Sequence, residues 1–307
     1  MARNEMEAWI PEEDDSQVIQ RVNAMSAVER VARRVPMSTA VKNHPRSAGV
    51  GVTSIEKGGA YGEDESANDS VTLTARKMGR AIRIAEEDLD DTLANVIASK
   101  QTDWATSYAK FLDNACLAVT AEENGGTVPF TSAYRALSQE NTDTGYGAND
   151  NITPTAGDAT YDLLSTALGL LEGGDYFDPS EVVVIAHPSF RQGLRGVKDD
   201  QGNPIFVQGL AGTPDTLFGH EVVWSLGAKT HATATDAPTG NPIMVFVNRD
   251  YALLGVRSGP ESVFIDGRSG LSALTDEAIL KMRSRRGWAV GHEKAFSILE
   301  KTASGGG

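Results

Sequence analysis

Cysteine is almost absent from the 307-residue sequence, and the single Cys116 rules out a disulfide within the chain. Its place in an apolar helical pattern favours a buried thiol over a nucleophile. Long apolar runs are missing too, since no stretch approaches the roughly 18 residues that a membrane helix needs. Residues 1–30 carry acids and no apolar signal-peptide core, so we expect synthesis in the host cytoplasm and no membrane partner.

Sequence motifs of common enzymes are also lacking. The sequence contains no G-x-x-x-x-G-K-[ST] loop, no G-x-G-x-x-G between a strand and a helix, no H-E-x-x-H and no G-x-S-x-G. No two of the five histidines have the spacing of metal ligands: His44, His187, His220, His231 and His292. We therefore expect no enzyme, no cofactor and no metal site. Only the fold could bring distant carboxylates together, so an acidic α/β hydrolase with a non-local site stays open as an alternative.

Positive charge is scarce, because 42 acidic residues outweigh 28 lysines and arginines and give a net charge of −14. That balance argues against a protein whose main task is gripping phosphate backbones. The cations gather in two groups: Arg76, Lys77, Arg80 and Arg83, and then Lys281, Arg283, Arg285 and Arg286. Only Trp288 lies near them to stack on a base. A charge-complementary contact between subunits, with the acidic run Glu63, Asp64 and Glu65 as partner, is the better hypothesis.

The N-terminal third has the pattern of an extended arm followed by a hairpin. The stretch SQVIQRVNAMSAVERVARRV, with Ser16 as a possible cap, predicts a helix that packs on its own domain or on a neighbouring subunit. GVGVTSIE (49–56) predicts one strand and VTLTARKMGRAIRIA (71–85) another, with a polar tip between them. Such a hairpin buries little by itself, so we expect it to project onto a partner surface.

A long helix is predicted next. Glu86, Glu87 and Asp88 suit a first helical turn, where acids complement the exposed N–H groups. Apolar residues then recur at helical spacing as far as Val119, and Gly125 offers a stop. If unbroken from 86 to 123, this helix would be roughly 57 Å long.

The remaining sequence mixes helices and strands in one α/β or α+β domain. After a loop-rich stretch, 125–158, a helix begins near Tyr161 and ends at Gly173. EVVVIAH (181–187) is a continuous apolar run, which is typical of a strand covered on both faces. PSFRQGLRGV predicts a short helix, KDDQGNPI a turn, and HEVVWS, IMVFVN, SVFID and AILKMRSRRGWAV predict further strands.

The order of these parts resembles the major capsid protein of tailed bacteriophages, the Hong Kong 97-like capsid fold. GGAYGEDES resembles the hairpin tip of that family, and LTARKMGRAIRIAEEDLDDT resembles its passage from the returning strand into the spine helix. LRGVKDDQGNPI and LFGHEVVWS resemble the turn and strand of its axial domain. VFVNRDYALLGVRSG and KMRSRRGWAVGHEKAFSIL resemble its last strands. Together these motifs extend over roughly residues 49 to 299.

The resemblance implies an α+β fold with five parts. These are an N-terminal arm (1–47), an extended hairpin or E-loop (48–83), a peripheral domain with the spine helix (84–124 and 256–283), a compact axial domain (125–255 and 284–301) and a flexible tail (302–307). It also implies a structural protein of the virion that assembles as pentamers and hexamers into an icosahedral shell around double-stranded DNA. The subunit-interface candidates are Lys57, Tyr61, Glu63, Asp64, Glu65, Arg76, Lys77, Arg80, Arg83, Asp199, Asp200, Arg283, Arg285 and Arg286.

Two departures from the family affect the expected partners. Some relatives cross-link a hairpin lysine to a late asparagine; Lys57 is on the hairpin, but no asparagine follows Asn248, so we expect no cross-link. The arm begins near Met1, which leaves no room for an N-terminal scaffolding segment and implies a separate scaffolding protein. A portal is a further expected partner, and a cement protein is a candidate. An encapsulin-like nanocompartment is the alternative within this fold, and a monomeric binding module is a further one.

Overall fold

The computed structural model describes residues 25–302 except 48, 50–51, 64–68, 92–95, 200, 210–212 and 266–275; of residues 89–91 only the backbone is described. The helices are α1 (Ala27–Val31), α2 (Glu86–Asp91), α3 (Val96–Leu117), α4 (Ala133–Leu137), α5 (Tyr161–Glu172) and α6 (Phe190–Leu194). Short 3-10 helices span Arg249–Tyr251 and Glu293–Ala295. Within the described ranges, no helix is long and apolar enough to span a membrane.

Among the described residues, more belong to strands than to helices. The strands are β1 (Arg33–Pro36), β2 (Val41–Arg46), β3 (Asp69–Thr74), β4 (Arg76–Ala85), β5 (Ile152–Ala156), β6 (Val182–Ala186), β7 (Phe206–Val207), β8 (Asp215–Leu217), β9 (His220–Trp224), β10 (Ile243–Asn248), β11 (Ala252–Ile265), β12 (Glu277–Val290) and β13 (Phe296–Thr302). They form a four-stranded sheet, a seven-stranded sheet and a two-stranded ribbon.

The seven-stranded sheet, in the order β5-β13-β10-β6-β9-β8-β7, is the middle layer of a compact domain. Every residue of β6 and β10 is buried. Val183 and Ile185 of β6 pack into a core shared with α3 and α4, whereas Val182 and Val184 pack into a second core with α5. Because successive side chains of a strand point to opposite faces, both faces are covered, which confirms the interpretation of EVVVIAH.

The four-stranded sheet, in the order β1-β11-β12-β4, is built on two strands of 14 residues each. β12 pairs antiparallel with β11 on one side and with β4 on the other. The predicted strands SVFID and AILKMRSRRGWAV are confirmed in their described residues. SVFID is only the last part of β11, which begins ten residues earlier, at Ala252.

The prediction that residues 49–56 form the first hairpin strand is wrong. Gly49 and residues 52–56 form no strand, and Gly49 adopts a left-handed backbone with φ of 85°. The strand that pairs with β3 is β2, which lies inside the predicted arm (1–47). β2 is positioned by its pairing with β3, and β3 is itself fixed because its Leu73 is fully buried in a small core beneath the ribbon. The returning strand also divides at Ala75, where the chain leaves β2 for β12.

The spine helix ends earlier than the sequence indicated. α3 stops at Leu117 because the next residues join the compact domain: Val119 forms a parallel bridge with His231, and the Thr120 N–H donates to the His231 carbonyl at 2.9 Å. Its 22 residues span about 33 Å. Residues 92–95 connect α2 to α3 and lie outside the described residues, so the prediction of one unbroken helix stays a prediction.

The predicted N-terminal helix falls largely on residues 1–24, which are likewise outside the described range. Its described part is α1, which is capped by Ser26 and ends at Val31; the chain then turns into β1.

Candidate assembly surfaces

The hairpin tip is an exposed segment without regular secondary structure. All the described residues from Val52 to Glu63 are exposed, and the side chains of Val52 and Tyr61 reach 96% and 87% exposure. Lys57 and Glu63 are exposed beside them. The predicted interface residues Asp64 and Glu65 lie outside the described residues. The tip thus offers apolar and charged groups that its own subunit leaves uncovered.

The predicted basic strand is β4, an outer strand of the four-stranded sheet. Lys77, Arg80 and Arg83 are exposed, and Arg83 also forms an ion pair of 3.2 Å with Glu277 on β12. Arg76 is half-buried and pairs with Glu123 at 2.7 Å. The charges of Lys77 and Arg80 therefore face solvent, whereas that of Arg76 is paired with Glu123 of the same chain.

A groove of about 630 Å³ lies between β4 and α3. Its apolar lining includes Met78 and Ile82 from β4, Met282 from β12, and Trp104, Tyr108 and Phe111 from α3. Trp104 and Tyr108 stack with ring centroids 5.2 Å apart. Lys77, Arg80 and Lys100 bring cations to the groove, against the acids Asp103 and Asp236.

The sequence did not reveal this groove, although Trp104 and Tyr108 are among the apolar residues that recur along one face of the predicted helix. Their spacing of four residues places two aromatic rings on that face. The sequence alone did not show that the basic strand would lie alongside them. The arrangement can accept an aromatic or aliphatic side chain flanked by negative charge.

The second basic group is divided between surface and interior. Arg283 forms an ion pair with Glu261 on β11, and Arg285 is half-buried. Arg286 is only 6% exposed, and its Nε and Nη2 donate to the Glu29 carboxylate at 2.9 and 2.7 Å. The Glu29 side chain also accepts from the Tyr108 hydroxyl at 3.3 Å. Arg286 therefore joins α1 to β12 inside its own chain.

Asp199 belongs to a turn within its own chain. Its carboxylate accepts from the backbone N–H of Asn203 at 2.6 Å and of Gln201 at 3.0 Å, and Gly202 supplies a positive φ of 85°. The hydrogen bond from the Asn203 side chain is the main reason that the pKa of Asp199 lies below its usual value. The predicted turn is confirmed, and its neighbour Asp200 lies outside the described residues.

Asp113 is a buried carboxylate that the sequence did not single out. It is 1% exposed and accepts four hydrogen bonds: Ser26 Oγ at 2.5 Å, Ala27 N at 2.9 Å, Val28 N at 3.1 Å and Ser225 Oγ at 2.5 Å. These bonds fasten the start of α1 and the end of β9 to the spine helix α3. Burial raises the pKa of Asp113, and the four donors oppose that shift.

Cys116, His187 and His292, whose side chains are of types that often serve in catalysis, are all buried. Cys116 is fully buried, and burial raises the pKa of its thiol. Burial likewise lowers the pKa of His187 and of His292 to about 4. His292 stacks on Tyr176 with centroids 3.8 Å apart. In the part of the chain that the structure describes, no three His, Cys, Asp or Glu side chains gather as metal ligands would.

Comparisons with known proteins agree with this architecture. A family model described as the phage capsid family matches residues 7–301. No curated protein sequence matches the chain. A solved structure described as Mycobacterium phage Bobi is 19% identical, with a TM-score of 0.73 and coverage of 99% of both chains. One described as the capsid of a native GTA particle computed with C5 symmetry is 16% identical, with a TM-score of 0.70 over 98% of each chain. A Gordonia phage Cozz chain is 15% identical, with a TM-score of 0.72 over 96% of this chain and 92% of that one.

Proposed function

The chain belongs to the phage capsid family and is a structural protein of an icosahedral capsid, and we propose that it builds this shell from pentamers and hexamers around double-stranded DNA. The family match covers residues 7–301, which include the arm, the hairpin and both large sheets. We propose no catalytic role for the chain. The encapsulin-like and hydrolase alternatives draw no support from a specific feature of the described residues.

The observation that carries the assembly proposal is the uncovered hairpin tip together with the groove beside β4. Tyr61 is 87% exposed, and Glu63 stands next to it. The groove offers stacked aromatic rings flanked by Lys77 and Arg80. Aromatic and opposite-charge surfaces of this kind fit one another, and complementary charge fixes the register of a contact. We propose that the tip of one subunit lies in the groove of its neighbour.

The remaining interface candidates extend this proposed contact. Lys57, Asp64 and Glu65 would belong to the tip, while Arg83, Arg283 and Arg285 would continue the basic surface along the four-stranded sheet. Asp199 and Asp200 would lie at a separate contact made by the axial domain. Arg76 and Arg286 would act indirectly, because their ion pairs hold parts of their own subunit together.

The proposed division into parts cuts across the four-stranded sheet, because its boundaries after residues 83, 255 and 283 fall within β4, β11 and β12. Residues 1–47 would be the arm and 48–83 the hairpin, with β2 contributing its first strand from within the arm. Residues 84–124 and 256–283 would form the peripheral domain, and 125–255 and 284–301 the axial domain. Residues 302–307 would be a flexible tail.

The proposed partners are those of an assembling virion. Besides copies of itself, the subunit would use a separate scaffolding protein and a portal, and a cement protein is a further candidate. It would be made in the host cytoplasm and end in the virion. A net charge of −14 suits a wall that contains packed DNA without binding it tightly. Because no asparagine follows Asn248, we also propose that Lys57 forms no covalent cross-link.

The experiment that tests the proposed contact reverses its charges. Glu63→Lys with Glu65→Lys reverses the tip, and Lys77→Glu with Arg80→Glu reverses the groove. Each pair alone should abolish shells in size-exclusion chromatography and negative-stain microscopy, because like charges then meet at every contact. All four changes in one chain should restore shells, since every neighbour carries both reversals.

Rescue by the fourfold variant is the decisive outcome, because simple misfolding gives no rescue. Circular dichroism of each variant checks the fold, and Glu140→Lys, an exposed change away from the groove, is the matched control. Shells that form with either pair reversed would refute the contact. A compact monomer under all conditions, in the parent chain as well, would refute assembly. Particles from infected cells that hold a protein cargo instead of DNA would favour the nanocompartment alternative.

A further inference from the structure

Within the described residues, the ribbon formed by β2 and β3 has one apolar attachment, the small core around Leu73. Its register runs from Val41 opposite Thr74 to Arg46 opposite Asp69. Leu73, near the first of these ends, is 0% exposed in a small core with Met37 and Ala289, whereas most other ribbon side chains are partly or fully exposed. A two-stranded ribbon has little stability of its own. The base core therefore fixes where the ribbon begins, but does not by itself fix its tilt.

Arg46 attaches the far end, about 17 Å along the strand from Val41. Its Nε donates to Asp69 Oδ1 at 2.7 Å, and its Nη2 pairs with the other oxygen of Asp69, across the ribbon. Its Nη1 leaves the ribbon and donates to the Gly291 carbonyl at 3.2 Å. The same nitrogen lies 3.7 Å from Glu293 Oε2, and the Arg46 side chain is only 16% exposed. One guanidinium thus joins the ribbon to the compact domain.

Glu293 depends on this cation. The residue is 7% exposed, and its Oε1 accepts from Asn141 Nδ2 at 2.7 Å. Its Oε2 is buried and has no hydrogen-bond partner. Among the described residues, Arg46 is the cation within ion-pair distance of this carboxylate. A buried carboxylate that loses its only cation is strongly destabilising.

The neighbouring His292 does not take over that role near neutral pH. It is buried against Tyr176, and its pKa is lowered to about 4, so the ring is uncharged. Asp69, Asp143 and Lys294 are the other charged groups that act on this site. Opening the ribbon would therefore leave Glu293 without its cation while Arg46 stayed with Asp69.

We propose that Arg46 is a latch that holds the hairpin in one orientation against its own subunit, with Glu293 as the buried counter-charge that makes opening costly. Arg46, Asp69, Gly291 and Glu293 belong to the same chain, so the latch can be measured on an unassembled subunit. The hairpin would pivot about the base core when Arg46 loses its contacts with Gly291 and Glu293. A group that displaces Arg46 while keeping Glu293 paired would be needed to open it readily.

The test is hydrogen exchange of the full chain, kept unassembled at low concentration. Arg46→Ala should speed the exchange of paired amides in β2 and β3 on the order of tenfold, the change expected when a charge-assisted hydrogen bond is lost. Amides of β6 and β10 should keep their parent rates. Arg46→Lys should fall between parent and alanine, because a lysine keeps the charge but lacks the planar fork.

Two further variants separate the latch from a general loss of structure. Asp69→Asn removes the pair across the ribbon and keeps the contacts with Gly291 and Glu293, so it should change ribbon exchange less than Arg46→Ala. Glu293→Gln should itself speed ribbon exchange. Adding it to Arg46→Ala should increase exchange by less than it does in the parent, because the two changes break one interaction.

Unchanged ribbon exchange in Arg46→Ala would overturn the proposal, and so would equal acceleration in β6 and β10. Strict additivity of the Arg46 and Glu293 changes would remove Glu293 from the latch. Because the chain stays unassembled, these outcomes are independent of whether the tip-to-groove contact exists.

Discussion

Replacing Asp113 offers a quantitative test of how the arm is fastened to the spine helix. Each carboxylate oxygen accepts one serine hydroxyl and one backbone N–H: Oδ1 accepts from Ser26 and Val28, and Oδ2 from Ser225 and Ala27. In Asp113→Asn, an amide NH2 replaces one of these oxygens. A serine hydroxyl can rotate to accept a hydrogen bond from it, but a backbone N–H cannot.

At least one buried backbone N–H therefore loses its acceptor in Asp113→Asn. An unsatisfied buried donor costs about 1–3 kcal/mol, so the free energy of unfolding should fall by that amount. Asp113→Ala removes the acceptor of both Ala27 and Val28, and the loss should be about 2–6 kcal/mol. Urea unfolding of the unassembled chain measures both values, with Asp162→Asn on the exposed start of α5 as the control.

The location of the damage is as informative as its size. Amides of α1 should exchange faster in both variants, and more so in Asp113→Ala, because the first turn of α1 loses its acceptors. Two results would refute the reasoning: an Asp113→Asn variant as stable as the parent, or α1 amides that exchange at the parent rate in Asp113→Ala.

Two other predictions follow from burial. Burial lowers the pKa of His292 from 6.5 to about 4, so the neutral ring stabilises the fold above pH 6.5, and this stabilisation, up to about 3 kcal/mol, is lost as the pH falls toward 4. In chemical denaturation across this window, the free energy of unfolding of His292→Asn should depend less on pH than that of the parent. The pH dependence that remains should include the contribution of His187. In Gly79→Ala the new Cβ would lie 2.3 Å from the Met282 carbonyl oxygen, so β4 must separate from β12. Thermal unfolding should show a free energy of unfolding about 2 kcal/mol lower than that of the parent. Gly126→Ala is the control, because its Cβ meets no atom closer than 3.6 Å and its stability should stay near that of the parent.

The parts that the sequence predicted well are those whose pattern is local. β6 is a continuous apolar run, and its burial on both faces follows from that run alone. α5 has an apolar stripe and a glycine at its C-cap, Gly173, so both its type and its end were foreseeable. In β12, partly exposed and buried residues alternate from Glu277 to Arg286, and this period of two is long enough to distinguish a strand from a helix.

The parts that it missed depend on residues distant in the sequence. β2 reads as a polar segment with Pro45, and it is a strand because β3 and the buried Leu73 position it. α3 stops at Leu117 because the following residues pair with His231, more than a hundred positions away. Asp113 looked like an ordinary helix acid, and only the fold brings Ser26 and Ser225 to it. Neither periodicity nor capping signals report such contacts.

The latch and the tip-to-groove contact together bear on how one chain could serve two kinds of ring. The proposed contact joins two different surfaces, so its repetition closes a ring only when the rotation between neighbours divides the circle. Pentamers and hexamers need different rotations. If the position of Tyr61 in the groove stays the same in both rings, the angle between the tip and the body of the subunit must differ between pentamers and hexamers.

The ribbon between the tip and the body is held by the core around Leu73 and by Arg46. Weakening the Arg46 attachment should therefore change the ratio of pentamers to hexamers before it prevents contact, and microscopy of particles formed by Arg46→Lys measures that ratio. Particles with the parent size and shape would place the adjustment elsewhere in the subunit.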